Sequence, residues 1–222
     1  MFVLLEPEHK RALVFVDGQN LYHAAREAFG YRLPNYDVTA LARWVCREHD
    51  WALAGVRFYT SLPDGRAPFW RELWSRKLGA MGHAGVTVVT RPMRYRVRRV
   101  RLADGSMGSS DVADEKGIDV RIAIDVTRAL LARKCDVVVL CSQDQDFVEL
   151  AREAREIAAE QRRWVKMVSA FPVGQGTRNR RGIDRTDWIP IDRGAYDSCL
   201  DRCQYGRVRR GDRELGSGLP RV

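Results

Sequence analysis

Two apolar runs in this chain stop at acid. Arg11-Ala12-Leu13-Val14-Phe15-Val16 ends at Asp17, and Asp136-Val137-Val138-Val139-Leu140-Cys141 passes through Ser142-Gln143 into Asp144-Gln145-Asp146. If both runs are strands of one parallel sheet, their carboxyl ends open on the same crevice, and acids far apart in sequence converge there. Carboxylates brought within a few ångströms repel, and at least one is pushed toward its protonated form unless a cation sits among them. Hard oxygen donors with no Cys or His beside them suit Mg²⁺ or Mn²⁺ rather than zinc, and Mg²⁺ keeps waters and recruits phosphate oxygens. The chemistry this implies is phosphoryl transfer.

A fourth acid, Asp119, opens a segment with apolar residues on most sides (Ile118, Val120, Ile122, Ile124, Val126, Leu130, Leu131), which is expected to lie deep as a helix and carry Asp119 inward. Asp125 falls about 240° around that helix from Asp119 and is expected instead on the surface, paired with Arg121 and Arg128. Each acid also has a structural reading. Asp17, Asp144 and Asp146 have the residue type of helix caps, and Asp119 suits a helix N-terminus. Their joint placement at two strand ends and a helix start is what favours function.

Other chemistries fit less well. Asp17 is followed by Gly18-Gln19 and so lacks the Asp-x-Asp-x-Thr of a phosphatase or phosphotransferase nucleophile. There is no phosphate-binding Gly-x-x-x-x-Gly-Lys-Ser/Thr loop, and Gly174-Gln175-Gly176 lacks the third glycine of a dinucleotide fingerprint. Ser, Cys and His form no signature of covalent catalysis.

The elements that must position the acids alternate. Helices are expected over residues 20–29, 37–49, 68–81, 118–133 and 147–161, and strands over 11–16, 55–60, 86–90, 136–141 and 164–169, with an apparent last strand before Pro190. Short βα repeats argue for a parallel sheet covered on both faces. One segment breaks the rhythm: Arg91 to Arg101 alternates, so an extended strand puts Arg94, Arg96 and Arg98 on one face and Met93, Tyr95 and Val97 on the other. Residues 104–110 read as a Gly/Ser turn, and from about Arg193 the apolar rhythm fades into an Arg- and Gly-rich tail.

With 222 residues, 45% hydrophobic and 30% charged, the chain reads as a folded protein of one domain plus a small appendage. A formal net charge of +9 makes nucleic acid the first partner to consider, with the basic ribbon as its track and Tyr95 as a stacking face. An edge strand that uses charge against aggregation is the competing reading of that ribbon. No apolar stretch approaches a membrane span, Met1-Phe2-Val3-Leu4-Leu5-Glu6 is short and acidic for a secretion signal, and the five cysteines show no paired spacing. The expectation is a cytoplasmic protein with reduced thiols.

At Val14-Phe15-Val16-Asp17-Gly18-Gln19-Asn20, at Lys116-Gly117-Ile118-Asp119 and at Ser142-Gln143-Asp144-Gln145-Asp146-Phe147 the chain resembles the NYN family, bacterial LabA-like proteins of the PIN-like nuclease superfamily. The likeness covers about residues 11 to 190. It departs at Gln143, where the family has Gly. The resemblance implies a PIN-like (Rossmann-like) three-layer α/β/α sandwich with a mainly parallel central sheet, a nuclease domain over 1–192 and an extension over 193–222. It implies a metal-dependent ribonuclease, cutting at ends or internally, that leaves 5′-phosphate and 3′-hydroxyl ends. Asp17, Asp119, Asp144 and Asp146 would be catalytic and hold Mg²⁺ or Mn²⁺, Asn20 and Ser142 would support them, and Lys116 with Arg94, Arg96 and Arg98 would meet the substrate. Expected partners are RNA, single-stranded or structured, and no membrane, with a homodimer left open. The alternative is a non-catalytic RNA-binding or regulatory module on the same fold.

Overall fold

A strand covered on both faces must be apolar along its length, and Ala12 to Val16 is: all five residues are buried in β1 (Lys10–Asp17). The computed structural model describes residues 5–101, 107–203 and 205. After β1 come α1 (Gly18–Phe29), α2 (Val38–Glu48), β2 (Trp51–Leu62), α3 (Pro68–His83), β3 (Thr87–Pro92), β4 (Arg94–Arg101) and β5 (Met107–Asp114). Then follow α4 (Ile118–Leu131), β6 (Val137–Cys141), a 3-10 turn (Gln145–Phe147), α5 (Val148–Glu160), β7 (Lys166–Pro172), β8 (Asp187–Ile191) and α6 (Arg193–Asp197).

Six strands form one parallel sheet in the order β3-β2-β1-β6-β7-β8. Side chains alternate across it. Ala12, Val14 and Val16 face a core built with α1, α2, α3 and Tyr196, whereas Leu13 and Phe15 face a second core built with α4 and α5. Each fully buried Val, Leu or Phe contributes about 1.5–3 kcal/mol, so β1 alone anchors both layers. The chain runs from β1 to β2 on one side and returns to β6 on the other, and this reversal opens a crevice at the carboxyl ends of β1 and β6. No described helix is long and apolar enough to cross a membrane.

The expected elements are present, most of them a little longer or shorter than the periodicity suggests. One differs in kind. Residues 107–110 of the expected turn belong to β5, which pairs antiparallel with β4 as a separate two-stranded ribbon, Arg94 opposite Asp114 and Arg101 opposite Met107. Small polar residues lack the apolar alternation of a covered strand, and the ribbon supplies the pairing that this composition hides. Residues 104–106 of the turn lie outside the described residues.

The packed body also runs past the expected boundary at 192. Tyr196 is fully buried, Leu200 forms a bridge with Tyr36, and the Asp201 amide donates to Asn35 O at 2.7 Å. Residues 206–222, the bulk of the expected tail, lie outside the described residues.

Candidate active site

Asp17 ends β1 and caps α1. Its Oδ1 accepts the Asn20 amide at 3.1 Å, and its Oδ2 accepts the Ser142 hydroxyl from beyond β6 at 3.2 Å. The tight passage from strand to helix depends on Gly18, where a Cβ would lie 2.4 Å from the Phe58 ring and 2.8 Å from the Tyr59 carbonyl oxygen. Enclosed by protein with one partly exposed edge, the Asp17 carboxyl is pushed up to about 6. Burial is the main cause, the Asn20 and Ser142 hydrogen bonds oppose it, and Asp144 and Asp119 add repulsion.

The loop after β6 is tied back to this corner. The Ser142 hydroxyl accepts the Asp144 amide at 3.2 Å while donating to Asp17, and Asn20 Oδ1 accepts the Gln143 amide at 3.0 Å. Asp144 caps the 3-10 turn by accepting the Asp146 amide at 3.0 Å. The capping roles of Asp17 and Asp144 are therefore real and coexist with their convergence, because a carboxylate has lone pairs to spare after one cap.

The third contribution comes from the segment before α4. Gly117 takes φ +75°, a left-handed conformation that favours glycine and turns the chain into α4 with Asp119 in its first turn. Just ahead, Glu115 is pushed up to about 8, by burial first and then by Asp17 and Asp119. Ser61 lies close enough to favour the ionised form, yet neither Glu115 Oε1 nor Ser61 Oγ has a hydrogen-bond partner, although both atoms are buried. Among the expected residues, the structure thus brings together Asp17, Asn20, Ser142 and Asp144, with Asp119 in electrostatic reach. It adds Glu115 and Ser61, which sequence reasoning passed over. The one signal for Glu115 was its place two residues before the Gly117 turn.

Other expected residues stand apart. Asp146 is exposed; its amide, not its carboxylate, joins the network, and it shares with Asp119 a surface groove of about 400 Å³. Lys116, Arg94 and Arg96 are exposed, and the side chain of Arg98 lies outside what the structure describes. Tyr95 is not an open stacking face: the Arg66 guanidinium covers its ring at 4.4 Å. Asp125 is not on the surface but 3% exposed, and it holds Arg121 at 3.0 Å, the Tyr59 hydroxyl at 3.0 Å and Arg57 at 3.8 Å rather than Arg128. The reason is α4's rotation, which turns the Asp125 side toward β2. Asp184 and Asp187 are used in ion pairs with Arg181 and Lys166.

The donor set suits a hard divalent cation. All candidate ligands are oxygens, two of the acids are held above their ordinary ionisation range, and the buried Glu115 Oε1 is unpartnered. Among the described residues no three of His, Cys, Asp or Glu already stand together as a metal-holding group. A hydrated Mg²⁺, which typically takes only one or two direct carboxylates, is compatible with that spacing.

The chain matches the NYN domain over residues 11–172. Among solved structures it is similar to a protein of unknown function from Vibrio parahaemolyticus, 22% identical, with a TM-score of 0.51, 89% of this chain and 100% of that one being covered. It is also similar to ribokinase from Giardia lamblia, 12% identical, with a TM-score of 0.38, 82% of this chain and 58% of that one being covered. The Vibrio likeness extends to the fold alone. No curated protein matches the chain.

Proposed function

The chain belongs to the NYN domain family, generally a nuclease domain, and from that premise we propose that it is a metal-dependent ribonuclease acting at the β1/β6 crevice. The observation that carries this reading is the buried Glu115 Oε1, left without a hydrogen-bond partner and within electrostatic reach of Asp17, two acids that cannot ionise together cheaply without a cation. Asp17 and Asp144, with Glu115 and Asp119 directly or through water, would hold Mg²⁺ or Mn²⁺. When bound, such an ion lowers the pKa of a water molecule and stabilises charge on a phosphodiester. The chain's own residues do the positioning. Ser142 fixes the Asp17 carboxyl and the Asp144 amide together, Asn20 holds the loop backbone at Gln143, and Gly117 turns the chain into α4, which carries Asp119 in its first turn.

The substrate reading follows the charge. A net +9 chain draws polyanions, and the β4–β5 ribbon offers Arg94, Arg96 and Arg98 as a track for RNA phosphates, with Lys116 nearer the acids. The decisive assay is cleavage of a labelled RNA with and without Mn²⁺. Wild type should cut only with metal, and Asp17→Asn and Asp144→Asn should abolish the cut; full activity in both variants would end this assignment. A second reading, an RNA-binding or regulatory module without hydrolysis, is favoured by the acids' not standing together, among the described residues, as a metal-holding group. Isothermal titration that detects no Mn²⁺ binding would choose it.

A further inference from the structure

Gln143 stands where the family places Gly, and its side chain has a definite use. Its Nε2 donates to two carbonyls of the β7–β8 connection, Asn179 O at 2.9 Å and Arg181 O at 2.8 Å. Gln145 repeats the pattern, donating to Gly182 O at 3.0 Å and accepting the Asp184 amide at 3.2 Å. The connection is seated from below as well. A Cβ on Gly182 would lie within 2.9 Å of Trp188, Phe171 and Ser169, and Ile183 is fully buried. The backbone of residues 179–184 is therefore fixed against the acid-bearing loop, while Arg178, Arg180 and Arg181 remain exposed around it.

Fixing a surface loop by four hydrogen bonds from two glutamines costs side-chain entropy and is unnecessary for covering a core that Ile183 already covers. What the clamp does is hold Arg180 and Arg181 at a set position beside the site, where the Gln143 amide donates to Asn20 Oδ1, while the Arg178 amide is held next to them by Glu27 Oε1 at 2.7 Å. The sheet order adds direction. The β4–β5 ribbon leaves the β3 edge and this loop follows β7, so the two basic elements lie on opposite sides of the β1/β6 crevice. We infer that Arg178, Arg180 and Arg181 form a phosphate-binding platform for single-stranded RNA on the β7 side of the site, and that Gln143 and Gln145 position it. This rests on the ribonuclease reading for its substrate and not for its geometry. Arg181 leaves Asp184 for a phosphate, and Arg180 leaves the Gly174 carbonyl, at which it donates from the loop surface.

The experiment is fluorescence anisotropy of a labelled single-stranded RNA with the full chain over a series of salt concentrations, with metal-dependent cleavage followed in parallel. Replacing Arg178, Arg180 and Arg181 together by Ala should make the slope of log affinity against log salt shallower by about 2, three contacts at roughly 0.7 each. Arg43→Ala, Arg47→Ala and Lys134→Ala together remove the same charge from exposed positions elsewhere, and should leave the slope unchanged. Gln143→Ala and Gln145→Ala together, which keep every charge, should weaken binding several-fold. Equal slopes for the loop and control variants, or a loop variant that binds like wild type, overturn the platform while leaving cleavage, and with it the ribonuclease reading, intact. Loss of slope in a chain that never cleaves keeps the platform and removes the nuclease. A wild type that binds no RNA removes both.

Discussion

At the residue scale the site is defined by acids that hold protons they would release in water. Asp17 at about 6 and Glu115 at about 8 both lie above their ordinary values of 3.8 and 4.5, so the folded chain binds these protons more tightly than the unfolded one. The stability this linkage supplies is fully present below about pH 4, and is lost as pH rises through 6 and then 8. In chelator, the difference in melting temperature between Glu115→Gln and wild type should therefore grow in favour of the variant from pH 5 to pH 8.5. Mn²⁺ should raise the wild-type melting temperature more at pH 8 than at pH 5.5, and should bind Glu115→Gln more weakly by titration calorimetry. A variant no more stable than wild type at pH 8.5 would mean that Glu115 ionises at no cost. The aspartates were legible in sequence because a strand-ending acid interrupts an apolar run. Glu115 was not, because its place two residues before the Gly117 turn says nothing of its burial within electrostatic reach of Asp17.

At the element scale α4 is the lever. Its buried side packs on the sheet through Ile118, Ile122, Val126 and Leu130, its first turn carries Asp119, and Asp125 fastens its middle to β2 through Tyr59 and Arg57. Asp125→Ala leaves Tyr59 and Arg57 without their carboxylate and should cost about 3 kcal/mol, read as a lower urea midpoint, while RNA cleavage by the folded fraction persists. Persistent activity separates Asp125 from the catalytic acids; its loss would enlarge the site. Gly117→Ala should instead cost about 1 kcal/mol through its left-handed backbone and lower cleavage by tilting Asp119, a larger effect on activity than on stability. Helix periodicity did reveal α4 and put Asp119 in its first turn, where it is half-buried at the rim of a surface groove. It misjudged Asp125, because Arg121 and Arg128 offered local partners and only the tertiary packing supplies Tyr59 and Arg57. The β5 strand escaped for a related reason: its pairing with β4 is a property of two segments, and Gly108, Ser109 and Ser110 read as a turn when taken alone.

At the scale of the whole molecule, the last described residues close the fold on the face opposite α4. Lys77 of α3 is 1% exposed, donates to Tyr36 O at 2.7 Å and to Asp201 at 2.8 Å, and lies 5.0 Å from the centre of the Tyr205 ring. Burial pulls the ammonium's pKa down, and Asp201 holds it up. A buried cation stays charged only with its partner, so the segment after α6 is a structural member that α3 requires, although composition marks it as an appendage. Asp201→Ala should destabilise the chain by about 3 kcal/mol, because it strands a buried ammonium. Lys77→Met together with Asp201→Leu, which removes both charges at similar volume, should recover most of that loss. Urea unfolding of the two variants measures the difference. If Asp201→Ala unfolds at the wild-type midpoint, the pair contributes nothing, and the body of the fold ends near α6 as composition alone would place it.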